Sequence, residues 1–177
     1  MAPINLYDST ISLYDKAFSS LIAVLEKAKL ETPEKVAALP SARLIDDMLP
    51  LTMQVAIASS IAKKTIERLL PARAPLRVWA DDEKTLDELI NRAKETQELL
   101  ATVSREDLDG LEDNDVQLAM GKVTVDTTAY GYVFGYSLPN IFFHVSTAYA
   151  ILRKEGVPVG KLDYLVPFLS PYKKSEA

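Results

Sequence analysis

The sequence predicts an all-α fold, a four-helix bundle with one small β-hairpin before the last helix. Three observations predict it: long stretches with apolar residues at spacings of three and four, proline-containing connections between them, and one short stretch of alternating apolar residues. A chain of 177 residues, 48% of them hydrophobic, has the length of one domain with a sizeable core. We expect a single domain over residues 1–177, with the bundle at about 8–156 and an extended C-terminal strap at 157–177.

The first two long helices are predicted from apolar spacing and from the absence of helix breakers. The first begins near Ile11, follows N-cap candidates at residues 8–10, and carries its apolar side chains on one face. A short helical piece can start at Thr32-Pro33-Glu34, because proline suits a first helical turn, and it ends by Pro40. The second long helix is expected from Leu51 to Leu70, a stretch without glycine or proline.

A connection leads from the second helix to the third. Pro71 and Pro75 exclude a continuous helix there, and Trp79 is expected to pack against the bundle. Asp81 or Asp82 is the predicted N-cap of the third helix. The apolar residues of that helix share one face and its charged residues the other, so it contributes one amphipathic side of the bundle.

A change of period marks the segment before the last helix. Between Ser104 and Tyr136 the helical period disappears, and apolar residues alternate around Gly121-Lys122, which predicts the β-hairpin. The last helix is expected from Leu138 to Arg153, ending before Gly156. It is apolar on nearly all sides, so it is either the central element of the bundle or part of a subunit interface.

The composition excludes several classes of function. The net charge is −5 and the basic residues form no stripe that could neutralise phosphates, so nucleic acid is not an expected partner. The absence of cysteine removes disulfides and thiolate chemistry and fits a reducing compartment. We find neither a signal peptide nor a run of about 18 apolar residues that could span a bilayer. A cytoplasmic location without membrane attachment is the expectation.

One histidine, His144, limits the chemistry that the chain can support. Asn140 lies four residues earlier, so both side chains lie on one face of the last helix. Gln54 is a polar residue in an apolar stretch of the second helix and could face this pair across the core. The three are either core residues that hydrogen-bond one another, which is the favoured interpretation, or polar groups of a binding or catalytic site.

Two further groups are candidates with a structural alternative. Asp46-Asp47 precedes the second helix, where helix capping is the favoured interpretation; Asp47 is the candidate to assist His144 in proton transfer, and Arg43 could pair with either aspartate. Aromatic residues cluster around the start of the last helix and either line a small-molecule pocket or belong to the core. Among them, Tyr136 and Tyr149 are the candidate ligand-binding side chains.

Three segments resemble a known family: residues 44–51, residues 138–153 and residues 156–165. The family is number nineteen ninety-three among the domains of unknown function and belongs with the DinB-like four-helix bundles. The resemblance extends from Tyr7 to Leu165 and implies the DinB-like fold. The resemblance also implies a candidate metal site, because many DinB-like proteins bind a divalent metal through three histidines. One of these histidines lies on the second helix, and the other two form an HxxxH pair on the last.

The matching positions here are Gln54, Asn140 and His144, so the chain departs from that pattern at two of three ligands. Amide oxygens are poor ligands for zinc or nickel. We therefore expect no tightly held metal and no other cofactor.

Three functions remain open. The first is a protein that binds a small organic molecule, with Gln54, Asn140 and His144 as polar anchors among aromatic walls. The second is a cofactor-independent isomerase, cyclase or dehydratase in which His144 is the general acid or base and Asp47 or a tyrosine assists. The third is a structural homodimer that associates through the apolar last helix and binds no ligand.

Overall fold

The computed structural model describes residues 5–170, and four long helices form its bundle. They are α2, α3, α4 and α6, and shorter helices precede, follow or connect them. The predicted four-helix bundle is therefore confirmed. The helices are α1 (Leu6–Ser9), α2 (Ile11–Glu31), α3 (Leu51–Leu69), α4 (Leu86–Leu100), α5 (Ala129–Tyr132), α6 (Leu138–Lys154) and α7 (Lys161–Leu169).

The first and last long helices are parallel neighbours. Near their beginnings, the hydroxyls of Tyr14 and Ser137 are 2.6 Å apart. Beyond their ends, the Lys35 ammonium donates to the carbonyl of Glu155 over 2.6 Å. Contacts that pair start with start and end with end require that α2 and α6 run in the same direction.

Helices α3 and α4 are also parallel to each other and run opposite to that pair. Arg92 contacts the Ala56 carbonyl at 3.4 Å, and past both helix ends Arg73 donates to the Thr102 carbonyl at 3.0 Å. The chain must therefore return along the whole bundle between α3 and α4, and residues 70–85 make this crossover. The resulting order of directions is up, down, down, up.

The N-cap of α4 differs from the prediction. Thr85 accepts a hydrogen bond from the Glu88 N–H at 3.2 Å, and the Glu88 carboxylate accepts one from the Thr85 N–H at 2.9 Å. This reciprocal pair satisfies two N–H groups that the first helical turn leaves free. The prediction of Asp81 or Asp82 was wrong; Asp81 has a backbone φ of +56° and binds Arg92 instead.

A buried arginine fastens the crossover to the bundle. Arg92 is 1% exposed, pairs with Asp81 and Glu83 at 2.7 Å, and places its guanidinium 4.1 Å from the Trp79 ring centre. The Trp79 indole N–H donates to Glu95 at 2.8 Å. Trp79 therefore packs on the bundle as expected, through charged partners that the sequence pattern did not indicate.

The predicted hairpin is confirmed. Strands β1 (Asp115–Met120) and β2 (Val123–Thr128) pair antiparallel, with Leu118 opposite Val125. Val116 and Leu118 are buried against the helices, whereas Val125 and most of β2 face solvent. Gly121 has φ +60°, a left-handed conformation that suits glycine in a tight hairpin turn.

Three segments differ from their predictions. Residues 33–38 form turns followed by a 3₁₀ turn, not a helical piece. The last helical stretch begins earlier than expected, because α5 and a π-helical turn at Val133–Ser137 lead directly into α6. Residues 161–169, predicted to be extended, form α7 and include Pro167; residues 171–177 of the predicted strap lie outside the described range.

The proline in α7 is tolerated because that helix lies at the surface. Pro167 has no N–H to donate to the carbonyl four residues earlier, and water can bind that carbonyl where the helix is exposed. None of the residues of α7 is fully buried. Within residues 5–170, no helix is both long and apolar enough to cross a membrane.

Candidate functional site

The sole histidine and Gln54 form a direct hydrogen bond in the bundle core. His144 Nδ1 lies 2.8 Å from Gln54 Oε1, between the middle of α6 and the second turn of α3. Gln54 is 2% exposed and His144 8%. The structure therefore brings together two of the residues that helical spacing places on facing sides of the bundle.

The hydrogen bonds around this pair assign the tautomer of His144. The Gln54 amide nitrogen donates to the Leu49 carbonyl over 2.9 Å, so its oxygen is the atom that faces the imidazole. An amide oxygen only accepts, and His144 Nδ1 must donate. The second ring nitrogen, Nε2, then carries a lone pair and acts as an acceptor.

That second nitrogen has no protein partner in the described part of the chain. It is not among the side-chain atoms that are both unpaired and fully enclosed, which places it at the solvent-accessible edge of the residue. Burial lowers the pKa of His144 below its ordinary value of 6.5. The imidazole is therefore neutral at pH 7, and Nε2 is an acceptor that solvent or a ligand can reach.

Two partly exposed apolar residues contact the Gln54–His144 pair. The Phe143 ring meets the His144 ring edge to face, with 5.2 Å between centres, and is itself 55% exposed. Leu49, whose carbonyl holds Gln54, is 45% exposed. Both residues therefore leave apolar surface accessible near the pair.

Asn140 does not join the pair. It lies one turn before His144 on α6 and is half-buried, and within residues 5–170 no hydrogen bond connects it to Gln54 or His144. The predicted set of three polar residues is thus a bonded pair with a neighbouring amide.

Asp47 lies in an exposed turn before α3, and the capping interpretation of this aspartate pair is wrong. Pro50 occupies the N-cap position of α3 and no side chain caps that helix. Arg43 bonds to the carbonyl of Met48, and none of the described ion pairs includes Asp46 or Asp47. The structure shows no contact through which Asp47 could assist His144.

The predicted aromatic group divides between two places. Tyr136 stacks on Tyr132, with 5.9 Å between ring centres, at the start of the helix and more than two turns before His144. Tyr149 instead meets Tyr164 of α7 edge to face at 6.1 Å. The two tyrosines therefore do not line one common pocket.

The donor set does not fit a tightly bound zinc or nickel ion. Gln54 Oε1 already accepts from His144, which leaves one imidazole nitrogen as the strong ligand at this place. Among the residues that the structure describes, no group of three histidine, aspartate or glutamate side chains is arranged to hold a metal.

The sequence analysis missed a second polar cluster, which joins α2, α3, α5 and the π-helical turn before α6. The Tyr14 and Ser137 hydroxyls are 2.6 Å apart, the Thr65 and Tyr132 hydroxyls are 3.2 Å apart, and Arg68 donates to Tyr132 over 3.2 Å. We call these five residues the hydroxyl cluster. Burial raises the pKa of Tyr14 and of Tyr132, so both phenols remain protonated.

Sequence spacing holds a signal for the hydroxyl cluster. Thr65 follows Gln54 by eleven residues, about three helical turns, and Ser137 precedes His144 by seven, about two turns. Both intervals return to the same helix face. Polar residues that recur on a core face at these intervals predict a second polar layer.

Comparisons with known proteins agree with this architecture. Residues 6–165 match the model of a family described as a domain of unknown function, DUF1993. The chain is also similar to the crystal structure of a DinB family member protein from Shewanella denitrificans, with 34% sequence identity and a TM-score of 0.80. That alignment covers 90% of this chain and 91% of the other. No curated protein matches the sequence.

Proposed function

The chain belongs to the DUF1993 family and has a DinB-like fold, and we propose that it binds a small organic molecule at His144 without a tightly held metal. One observation carries the proposal: His144 Nε2 is a preformed acceptor with no partner among the described residues. Because this acceptor is accessible to solvent and fixed in orientation, a ligand O–H or N–H can reach it and form a hydrogen bond there without rearranging the protein.

The protonation state of His144 supports one class of ligand. A neutral imidazole accepts a hydrogen bond at Nε2 and carries no charge with which to attract an anion. The Phe143 ring, which contacts the imidazole, offers partly exposed apolar surface. The expected ligand is an uncharged molecule with an apolar body and one O–H or N–H group, such as an alcohol, a phenol or an amide.

Gln54 acts as the positioning residue in this proposal. Its amide is held by the Leu49 carbonyl, and its oxygen fixes which imidazole nitrogen is protonated. Replacing Gln54 by Glu would exchange the donor to Leu49 for a carboxylate and would favour a protonated imidazole. Nε2 would then become a donor, and the preferred ligand would change from a donor to an acceptor.

The tautomer is directly measurable because the chain has one histidine. With ¹⁵N-labelled histidine, the imidazole of the folded protein should give one pair of nitrogen signals, typical of protonated Nδ1 and unprotonated Nε2. Screening neutral alcohols, phenols and amides should then shift the Nε2 signal most. The proposal fails if no member of such a library shifts either signal at millimolar concentration.

Two matched variants distinguish the bond from His144 to Gln54 from the proposed bond to the ligand. His144→Asn places an amide donor near the position of Nδ1 and removes Nε2, so the bond to Gln54 is kept and ligand binding is lost. His144→Gln places an amide near the position of Nε2 and retains an outer acceptor. Binding that survives in the asparagine variant would contradict the role given to Nε2.

An enzymatic function is the second candidate. The lowered pKa of His144 favours a reaction in which the imidazole acts as a general base. A neutral imidazole can accept a proton at pH 7 but has none to donate from Nε2. The reaction would therefore begin with proton abstraction, as in an isomerase or a dehydratase, and Asp47 would take no part. Full activity of His144→Ala and His144→Gln on an identified substrate would refute it.

Homodimer formation stays a prediction. Its basis was the apolar surface of the last helix, and the structure reduces the part of that surface available to a second subunit. The apolar sides of α6 face α2 and α3, and its Phe142 and Tyr149 contact α7, so packing within the chain accounts for much of its apolar surface. Light scattering at several protein concentrations tests whether a dimer forms.

A further inference from the structure

One of the four described cavities lies on the opposite side of α6 from His144, and none of the four is lined by that histidine. The volume of this cavity is about 290 Å³, and it opens between α6 and α7. The residues that line it are Ser146, Tyr149, Lys161, Tyr164 and Leu165. Two of them are aromatic and one is cationic, a combination that none of the other described cavities presents.

The walls of this cavity are held in place by a chain of aromatic contacts. Tyr149 meets Tyr164 edge to face at 6.1 Å, Tyr164 stacks on Phe168 at 6.0 Å, and Phe168 contacts Phe142 at 5.9 Å. The Tyr164 carbonyl also accepts from the Ser20 hydroxyl of α2 at 2.6 Å. Because α7 is fixed to both neighbours, the cavity exists before any ligand arrives.

The cation at the edge of this cavity has no acidic partner in the described range. Lys161 is exposed and forms no ion pair there. The nearest acid along the chain, Asp163, is engaged by Lys27 at 2.9 Å and by the Gly160 N–H at 2.6 Å. The charge of Lys161 is therefore available to a ligand.

The other three described cavities lack this complementarity. One combines Arg43 and Lys84 with Glu83, so its charges are mixed. Asp15 and Lys16 share the second, and the third, beside the hairpin, is acidic. An unbalanced positive charge next to an aromatic wall occurs in the α6–α7 cavity alone among these four.

We propose that the α6–α7 cavity binds an aromatic carboxylate. The ring would lie against Tyr149 and Tyr164, which favour edge-to-face and offset contacts with another aromatic ring. The carboxylate would accept from the Lys161 ammonium. The Ser146 and Tyr164 hydroxyls lie 3.5 Å from each other, so one of them can donate to the other and the second remains a further donor to the ligand. A volume of about 290 Å³ suits a one- or two-ring acid.

A charged and an uncharged probe of equal size test the proposal. By calorimetry, 1-naphthoate should bind the full chain more tightly than 1-naphthalenemethanol does, and Lys161→Gln should weaken 1-naphthoate binding about three- to tenfold. The same substitution should leave the alcohol unaffected. Lys122→Gln, which changes an exposed lysine in the hairpin turn, is the matched control and should change neither affinity.

Tyr149→Leu tests the aromatic wall and should weaken both probes, with the fold checked by circular dichroism. His144→Asn should leave 1-naphthoate binding unchanged, since the cavity is separate from the histidine site. Equal affinities for the acid and the alcohol, an unchanged 1-naphthoate affinity in Lys161→Gln, loss of binding in His144→Asn, or absence of 1-naphthoate binding would each overturn the proposal.

Discussion

Two polar layers in the bundle core differ in one respect. The Gln54–His144 layer joins α3 to α6, and the hydroxyl cluster joins α2, α3, α5 and the π-helical turn before α6. In the hydroxyl cluster every described hydroxyl has a partner, and Arg68 covers the outer end. In the Gln54–His144 layer the bonds stop at the imidazole, and Nε2 is left without a protein partner. A complete network is what stability alone requires, whereas an open one leaves a hydrogen bond for another molecule.

The layers also differ in what surrounds them. Tyr14 and Ser137 are fully enclosed, and Tyr132 is almost so. His144 contacts the ring of Phe143, which is about half exposed. The enclosed hydroxyl cluster fits a role in helix packing, and the Gln54–His144 layer is the one for which we propose recognition.

The largest effect is expected from Tyr14→Phe. This change removes the hydroxyl that lies 2.6 Å from Ser137 and leaves the serine with a single long contact to the Val133 carbonyl. An enclosed hydroxyl that loses its partner should lower the free energy of unfolding by about 1–3 kcal/mol, measured by urea denaturation. Tyr130→Phe, at an exposed tyrosine, is the control. If Tyr14→Phe lowered the free energy of unfolding no more than Tyr130→Phe does, the Tyr14 hydroxyl would not contribute to stability.

A smaller effect is expected from His144→Leu. It leaves Gln54 Oε1 without its donor, which should cost about 1–2 kcal/mol of unfolding free energy. His144→Asn retains a donor and should recover most of that loss in the same urea assay. If the two variants were equally unstable, the Nδ1 bond would not be the source of the stabilisation.

The next effect in size is a pH dependence of stability that comes from His144 and not from the hydroxyl cluster. In the unfolded chain His144 has its ordinary pKa of 6.5, and in the folded protein that pKa is lower. Between these two values the unfolded chain binds a proton that the folded protein does not, so the free energy of unfolding falls as the pH falls below 6.5. The decline ends below the folded pKa.

Urea denaturation at several pH values should show this decline in the wild type and not in His144→Asn. Carboxyl groups with lowered pKa, such as Asp8 and Asp163, retain their contribution until the pH falls below their ordinary value of 3.8. They therefore do not obscure the histidine. A variant with an unchanged pH dependence would show that His144 titrates alike in both states.

The smallest effect is expected from Asn140→Ala. Since Asn140 is half-buried and bonds to neither Gln54 nor His144, its loss should change the free energy of unfolding by less than about 0.5 kcal/mol. The ¹⁵N signals of the imidazole should also stay in place. A shift of the Nε2 signal would show that Asn140 belongs to the histidine layer after all.

Helical spacing predicted the main elements, because apolar period determines which faces meet. It left the approach of Gln54 to His144 open, and it did not indicate that Asn140 stays outside that contact. It did not predict α7, since Pro167 was expected to keep that segment extended and only its exposure to water makes the proline tolerable. Nor did it identify which residue caps α4, for which Asp81 or Asp82 was predicted and Thr85 is observed. There the three-residue interval between Thr85 and Glu88 allowed a reciprocal cap.

Long-range polar contacts account for most of what the sequence did not predict. Arg92 lies three residues after Leu89 on the buried face of α4, which indicates a buried charge but not its partners. Those partners come from the crossover, whose path is irregular. Likewise, Tyr14 and Ser137 are far apart in the chain, and only the parallel arrangement of α2 and α6 brings their hydroxyls together.

The fluorescence of Trp79 reports on the crossover, residues 70–85. Trp79 is the only tryptophan in the chain, and its indole lies between the Arg92 guanidinium and the Glu95 carboxylate. Its fluorescence therefore follows the docking of residues 70–85, while circular dichroism follows the helices. Coincident unfolding curves from the two signals would mean that the return segment and the bundle form one cooperative unit. An earlier fluorescence change would identify the crossover as the part of the molecule that opens first.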